Sequence, residues 1–84
     1  MTSQEIITKA LIDYYSQFIG KEVRVFHCTF EQNPNNSYWK TDSFVVTNVI
    51  VINYGEYPKA KFEYFYKGQR LFERVDYKDL IELV

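Results

Sequence analysis

The spacing of apolar residues changes once in this chain, at Gly20, and this change constrains the fold more than any other feature. Before Gly20, apolar residues recur every three or four positions, as on one side of an amphipathic helix. This stripe consists of Ile7, Leu11, Tyr14, Tyr15 and Phe18. After Gly20 the residues alternate between two faces, with Val23, Val25 and His27 on one of them. The pattern predicts one N-terminal helix followed by β-structure.

Signals at both ends define this helix. Thr2 and Glu5 have the spacing of a capping box, in which each side chain bonds the backbone amide of the other residue. Gly20 suits the left-handed conformation that commonly follows a helix. We therefore expect a helix from about Ser3 to Ile19.

The remainder of the chain predicts about five strands. The segment 31–37 is rich in Asn and Pro, 54–58 contains Gly and Pro, and Gly68 lies between two β-type runs, so each position predicts a turn. The stretch Tyr38–Tyr54 is too long for one ordinary strand, and we expect a bulge or bend near Thr47. The fold class is α+β, with the helix packed on a strongly bent antiparallel sheet or small barrel in a single domain, 1–84.

Aromatic residues are more numerous than so short a chain can enclose. The 84 residues include eight Tyr, seven Phe and one Trp. Each ring can bury about 150–250 Å², whereas a domain of this size has a thin core. Some rings must therefore lie on the surface or in an interface, and a homo-oligomer is one way to cover them.

Charge, cysteine content and the N-terminal sequence favour a cytoplasmic protein. The net charge of −1 disfavours binding to a nucleic-acid backbone as the main function. The single cysteine, Cys28, excludes an internal disulfide and indicates a reducing compartment. The first residues are polar and acidic, unlike a signal peptide, and no apolar run is long enough to span a bilayer.

Two segments resemble a known family. Residues 20–25, at the start of the first strand, and residues 75–83, at the end of the chain, resemble the YolD-like proteins of Gram-positive bacteria and their phages. The order of elements is similar to small SH3-like and Sm-like barrels. The resemblance implies a small β-barrel, and it transfers no catalytic residue, because these families share no catalytic motif.

Reactive side chains are few, and we expect no enzyme activity, cofactor or metal. His27 and Cys28 are adjacent, so in a strand they point to opposite faces and cannot form a nucleophile–base pair. We interpret His27 as a strand histidine satisfied by a neighbour. Asp76 and Asp79 could act as paired carboxylates, but Asp76 is better explained as a cap of a short turn.

The first candidate binding surface is a set of aromatic residues beside the two irregular loops. They are Tyr38, Trp39, Tyr54 and Tyr57. Trp and Tyr commonly anchor interfaces and can enclose a small ring-bearing ligand. The sequence leaves open whether Trp39 is such an anchor or part of the core.

The second candidate surface mixes cations with rings, as single-stranded nucleic-acid-binding surfaces do. It comprises Lys61, Phe65, Lys67, Arg70, Phe72 and Arg74. The segment from position 56 to 79 contains six cationic and five anionic side chains. Cross-strand ion pairs on a solvated face are therefore the simpler interpretation.

The combined features predict a non-catalytic binding protein that acts through exposed aromatic residues. By analogy of size and style, we expect a phage or mobile-element accessory factor that inhibits a host defence protein or sequesters a small nucleotide-like ligand. A regulator that binds nucleic acid through residues 59–74 is the alternative. No membrane partner is expected.

Overall fold

The computed structural model describes residues 1–29, 37–54 and 57–84, and its first element is a helix. Helix α1 spans Ser3–Tyr15, and one turn of 3₁₀ helix follows at Ser16–Phe18. The Glu5 amide donates to Thr2 Oγ1 at 3.2 Å, as the capping spacing predicts. Gly20 has φ +84°, which confirms its left-handed conformation. The helical segment therefore ends close to the predicted position, with a tighter last turn.

Over the described residues, seven strands form two antiparallel sheets, whereas the sequence predicted about five strands. The seven strands are β1 Glu22–Thr29, β2 Ser37–Lys40, β3 Phe44–Val45, β4 Asn48–Tyr54, β5 Tyr57–Tyr66, β6 Gln69–Val75 and β7 Leu80–Leu83. In the first sheet β1 is central, with β2 and β3 along one edge and β7 along the other. The second sheet has the order β4–β5–β6. This arrangement confirms the predicted α+β fold with a helix and a bent antiparallel sheet.

The bend lies where β3 leaves the first sheet and β4 enters the second. Between these strands Val46 exchanges backbone hydrogen bonds with Gly20 and Lys21, at 2.7 and 3.0 Å. The next amide, of Thr47, already donates to Glu63 of β5 at 2.8 Å. The break at positions 46–47 confirms the predicted bend. The two sheets do not close into a barrel in the part of the chain that the structure describes.

Phe62 lies at the centre of the core, fully buried. The rings of Tyr15, Phe18 and Phe44 approach it edge-on, with centroid distances of 5.7, 5.8 and 6.3 Å. Such edge-to-face contacts add to the stability gained from area burial. The core therefore joins α1, the following 3₁₀ turn and both sheets. Several other rings are exposed, as the count of aromatic residues predicts: Tyr14, Trp39, Tyr57, Phe65, Tyr66, Phe72 and Tyr77.

Over the three described ranges, no helix combines the length and apolar character that spanning a membrane requires.

Candidate functional site

His27 cross-links the two sheets. It follows Val23 and Val25 on the same face of β1, but beyond the four residues of β1 that pair with β7. Its Nδ1 lies 2.9 Å from Asp79 Oδ2, and its Nε2 lies 2.6 Å from Glu73 Oε1. One imidazole therefore connects β1, β6 and the turn between β6 and β7.

Each ring nitrogen of His27 lies within hydrogen-bond distance of a carboxylate oxygen. Both nitrogens therefore already have a partner in Asp79 or Glu73. An imidazole held in this way leaves neither nitrogen open to a substrate or a metal ion. The interpretation of His27 as a strand histidine satisfied by its neighbours is confirmed. Among the described side chains no cluster of three His, Cys, Asp or Glu has the arrangement of a metal site.

Asp79 organises the turn that carries it. Its side chain is only 7% exposed and accepts three hydrogen bonds. Besides His27, its donors are the amides of Cys28, at 3.1 Å, and Asp76, at 2.9 Å. Asp76 Oδ1 accepts from the adjacent Tyr77 amide at 2.7 Å, whereas the side-chain bond that spans the turn is accepted by Asp79, so the predicted capping role of Asp76 is not confirmed. The larger role of Asp79 was not predicted, although the Asp-x-x-Asp spacing before a strand was visible in the sequence.

Trp39 lies opposite His27 in the β1–β2 register, and the two rings stack. Their centroids are 5.4 Å apart and their planes are inclined by 22°. Trp39 is nevertheless 60% exposed. Trp39 is therefore a surface residue that stacks on His27, which answers the question that the sequence left open.

The other members of the aromatic set do not gather around Trp39. Tyr57, at the start of β5, is exposed and lines a separate apolar groove with Ile7 and Leu11 of α1. Tyr38 and Tyr54 belong to β2 and β4, but their side chains lie outside the described residues. The described part of this set is thus divided between two places.

Two adjacent pockets lie beside β6, and Trp39 and Glu73 line both of them. We call the two pockets together the β6 groove. Its polar half is lined by His27, Cys28, Trp39, Lys59, Glu73, Arg74, Asp76, Lys78 and Asp79. Its second half is richer in rings and is lined mainly by Trp39, Phe44, Tyr64, Phe65, Tyr66 and Leu71. The groove therefore combines an oriented indole with charged and aromatic walls.

Charges in the polar half are partly compensated. Lys59 Nζ lies 3.6 Å from Asp76 Oδ2, and His27 is held by Glu73 and Asp79. The cations Arg74 and Lys78 also line this half. The groove therefore presents positive side chains beside carboxylates that already have partners.

Most of the second candidate surface shares one face of the β5–β6 hairpin. The register pairs Lys61 with Arg74 and Phe65 with Arg70, and Phe72 lies between the two arginines on β6. Residues directly opposite each other in an antiparallel pair share a face. We call these five residues the hairpin face, and two of them, Phe65 and Arg74, also reach the edge of the β6 groove. The sixth, Lys67, lies in the turn, with Nζ 5.3 Å from the centroid of the Tyr66 ring.

Side chains alternate between the two faces of a strand, so charges that nearly cancel along the sequence lie on different faces of the hairpin. Glu73 points inward to His27, on the opposite side of β6 from the hairpin face. Glu63 stays on the hairpin face, where its Oε2 lies 4.0 Å from Arg70 Nη1. The predicted cross-strand ion pair is present, but the face as a whole has more cations than carboxylates.

Two tyrosines, Tyr15 and Tyr64, have a raised pKa. Burial raises the pKa of the Tyr15 hydroxyl above its ordinary value, and the nearby Tyr14 raises it further. The negative charges of Asp76 and Asp79 act on it in the same direction. Burial also raises the pKa of Tyr64, with a smaller contribution from Glu73. The neutral phenol is therefore the favoured form at both positions.

No protein-family model matches the chain, and comparisons with curated proteins and with solved structures also find no match. The likeness to YolD-like and SH3-like proteins therefore stays a prediction.

Proposed function

We propose that this protein is a non-catalytic binding protein that contacts a partner protein through the β6 groove, with Trp39 as its anchor. One observation carries the proposal. Trp39 is largely exposed, yet it stacks on an imidazole that two carboxylates hold in place.

An exposed tryptophan that is already ordered has an advantage in binding. Interface tryptophans contribute strongly to affinity when they enter a pocket of the partner. Association normally costs about 0.5–1.5 kcal/mol for each side chain that becomes ordered, and the His27 stack reduces that cost for Trp39. Arg74 and Lys78, which line the same groove, supply the polar rim typical of such surfaces.

The arrangement around His27 favours a structural role over catalysis. A general base needs a nitrogen within reach of the substrate proton. In this site both nitrogens face carboxylates, at 2.9 and 2.6 Å, and proton transfer to His27 would require one contact to break.

The proposal also names two kinds of partner for the β6 groove, a host protein and a small ligand. A phage or mobile-element factor that blocks a host defence protein would use the β6 groove as its contact surface. A small nucleotide-like ligand is the other partner predicted from the sequence, because a base could stack on Trp39 while Arg74 or Lys78 contacts phosphate. Native mass spectrometry of the purified protein separates the two, since a retained small mass supports the ligand.

A matched pair of variants tests the anchor. Trp39→Ala is expected to weaken binding to a captured partner at least tenfold, whereas Tyr57→Ala, equally exposed but outside the groove, leaves it unchanged. Trp39 is the sole tryptophan, so its fluorescence should shift when the partner is titrated into the wild-type protein. Equal binding by the Trp39→Ala variant and an unchanged emission spectrum would rule out the groove.

The hairpin face supports nucleic-acid binding as a second candidate. The specific observation is that Lys61, Arg70 and Arg74 share one face with two phenylalanine rings while Glu73 points away. Affinity for a single-stranded oligonucleotide should fall steeply as salt rises. Arg74→Glu should weaken this binding more than Lys21→Glu, a change outside the hairpin. Absence of binding at low salt would exclude this candidate.

A further inference from the structure

The outer edge of β6 carries backbone groups that have no partner strand among the described residues. In that part of the chain β6 pairs with β5 alone, and a two-residue turn at Lys67–Gly68 joins the two strands. Their φ angles of +51° and +79° fit a type I′ hairpin, in which the flanking Tyr66 and Gln69 form a hydrogen-bonded pair.

The register of β5 and β6 determines which backbone amides and carbonyls of β6 point to the outer edge. Hydrogen-bonded pairs recur at every second residue, so Leu71 and Glu73 direct their amides and carbonyls to β5. Arg70, Phe72 and Arg74 must direct theirs to the open edge. No backbone hydrogen bond to these three residues from outside the hairpin occurs among the described residues. The edge therefore offers three amides and three carbonyls in the spacing of a strand.

The charged side chains at this edge favour an added strand of opposite charge. Arg70 and Arg74 flank Phe72 on the hairpin face. A second copy that paired its own β6 with this edge, centred on Phe72, would place arginine opposite arginine, which is destabilising. A strand with carboxylates at those two positions and an apolar residue between them has complementary charge.

The opposite side of an added strand would face the β6 groove. Side chains alternate along a strand, so its remaining residues would lie on the same side as Leu71 and Glu73. Both residues line the groove together with Trp39. Backbone pairing and contact with Trp39 are therefore compatible in one bound segment.

We propose that β6 binds its partner by strand addition, and that the bound segment is an extended acidic peptide. Its pattern is acidic, any, apolar, any, acidic, so that the two carboxylates lie opposite Arg74 and Arg70 and the apolar residue opposite Phe72. Main-chain hydrogen bonds would supply affinity and the alternate side chains specificity. This inference rests on the proposed function, since it names the binding mode of the same groove.

Amide hydrogen exchange with a synthetic peptide tests this directly. The probe is acetyl-TEVIVET-amide, whose symmetric pattern allows either strand direction, and acetyl-TKVIVKT-amide is the control. In the free protein the amides of Arg70, Phe72 and Arg74 should exchange fast and those of Leu71 and Glu73 slowly. The glutamate peptide should slow the three fast amides at least tenfold, and the lysine peptide should not. Absence of binding by the glutamate peptide at millimolar concentration overturns the inference.

Charge reversal provides a second readout. The double variant Arg70→Glu and Arg74→Glu should lose at least tenfold in affinity for the glutamate peptide and gain affinity for the lysine peptide. If it retains its preference for the glutamate peptide, the inference fails. If the variant does not fold, the exchange pattern of the wild-type protein still decides.

The outcomes separate this inference from the proposed function. If the peptide protects the three amides but binds Trp39→Ala equally well, strand addition stands and the Trp39 anchor fails. If binding needs Trp39 but the three amides stay fast, the groove stands and strand addition fails. If a single-stranded oligonucleotide binds the hairpin face instead, and the glutamate peptide protects no amide, strand addition is likewise overturned.

Discussion

The two ends of β1 differ sharply although they share one strand and one face. At one end Val23 and Val25 are fully buried in the core around Phe62. Two residues further on, His27 forms a cross-link with Glu73 and Asp79. Apolar packing is non-directional and closes the first end, whereas the second is held by a few directional contacts.

This difference explains where the groove lies. At the apolar end, rings from α1, the 3₁₀ turn and both sheets pack around Phe62. At the polar end the sheets are joined through side chains, and Trp39 stays exposed beside the gap. A domain can therefore keep a concave surface where polar contacts replace part of its core.

Removal of the central ring should have the largest effect on stability. Phe62→Ala leaves a cavity among three rings and should lower the free energy of unfolding by about 3–5 kcal/mol. A domain of this size has a total of only about 5–10 kcal/mol, so the variant should be largely unfolded in mild urea. Phe65→Ala, at an exposed position on the same strand, should cost under about 1 kcal/mol. Equal effects would contradict the assignment of the core.

The polar end should respond most to the loss of Asp79. Asp79→Ala removes the acceptor of two partly buried amides and one partner of His27, and should cost about 3 kcal/mol in urea unfolding. Asp76→Ala, which removes one hydrogen bond within the turn and an exposed ion pair, should cost about 1 kcal/mol. The reverse order would mean that Asp76, not Asp79, organises the turn.

Alkaline pH should act on the boundary between the two ends, where Tyr15 lies. The folded state raises the pKa of Tyr15 above 10.0, mainly through burial. The folded state therefore retains the phenol proton more strongly. Its contribution to stability is complete below the unfolded-state pKa and is lost as pH rises through the folded-state pKa.

Urea unfolding between about pH 9 and about pH 11 checks this effect. The free energy of unfolding of the wild-type protein should decrease across this range, and Tyr15→Phe should decrease less. Tyr66→Phe, which removes an exposed hydroxyl, is the control and should follow the wild type. A Tyr15→Phe profile parallel to that of the wild type would contradict the account.

The smallest effect is expected where a charge pair lies outside both ends. Arg24 Nη1 and Glu82 Oε1 are 3.4 Å apart, with side chains 33% and 51% exposed. Glu82→Gln should change the free energy of unfolding by less than about 0.5 kcal/mol. A loss above about 1 kcal/mol would show that pairing of β1 with β7 depends on this contact.

The apolar and polar ends of β1 also differ in how well the sequence predicts them. The turn at Gly20 and the bend near Thr47 follow from turn chemistry and strand length, and both were predicted. The apolar stripe was predicted only in part, since Tyr15 and Phe18 are buried but Ile7 and Tyr14 are exposed. The contacts of His27 join residues 46 and 52 positions apart, and no local pattern indicates which carboxylates will meet it. The satisfied histidine was predictable, but its partners and its stacking on Trp39 were not.

The hairpin face illustrates a second limit. The sequence counted cations and anions along a segment, whereas the strand register determines which charges share a face. Once Lys67–Gly68 is recognised as a two-residue turn, the pairing of Lys61 with Arg74 follows by counting from it. Glu73 was therefore assignable to the other face, but its contact with His27 required the arrangement of both sheets.

The central claim is that the His27 cross-link holds Trp39 in a fixed orientation for binding, and the order parameter of the Trp39 indole N–H from ¹⁵N relaxation tests it most directly. The order parameter should be close to about 0.85 in the wild-type protein and fall below about 0.6 in His27→Ala. It should stay high in Cys28→Ala, the neighbouring control. An indole already mobile in the wild-type protein, or still rigid without His27, would contradict the claim.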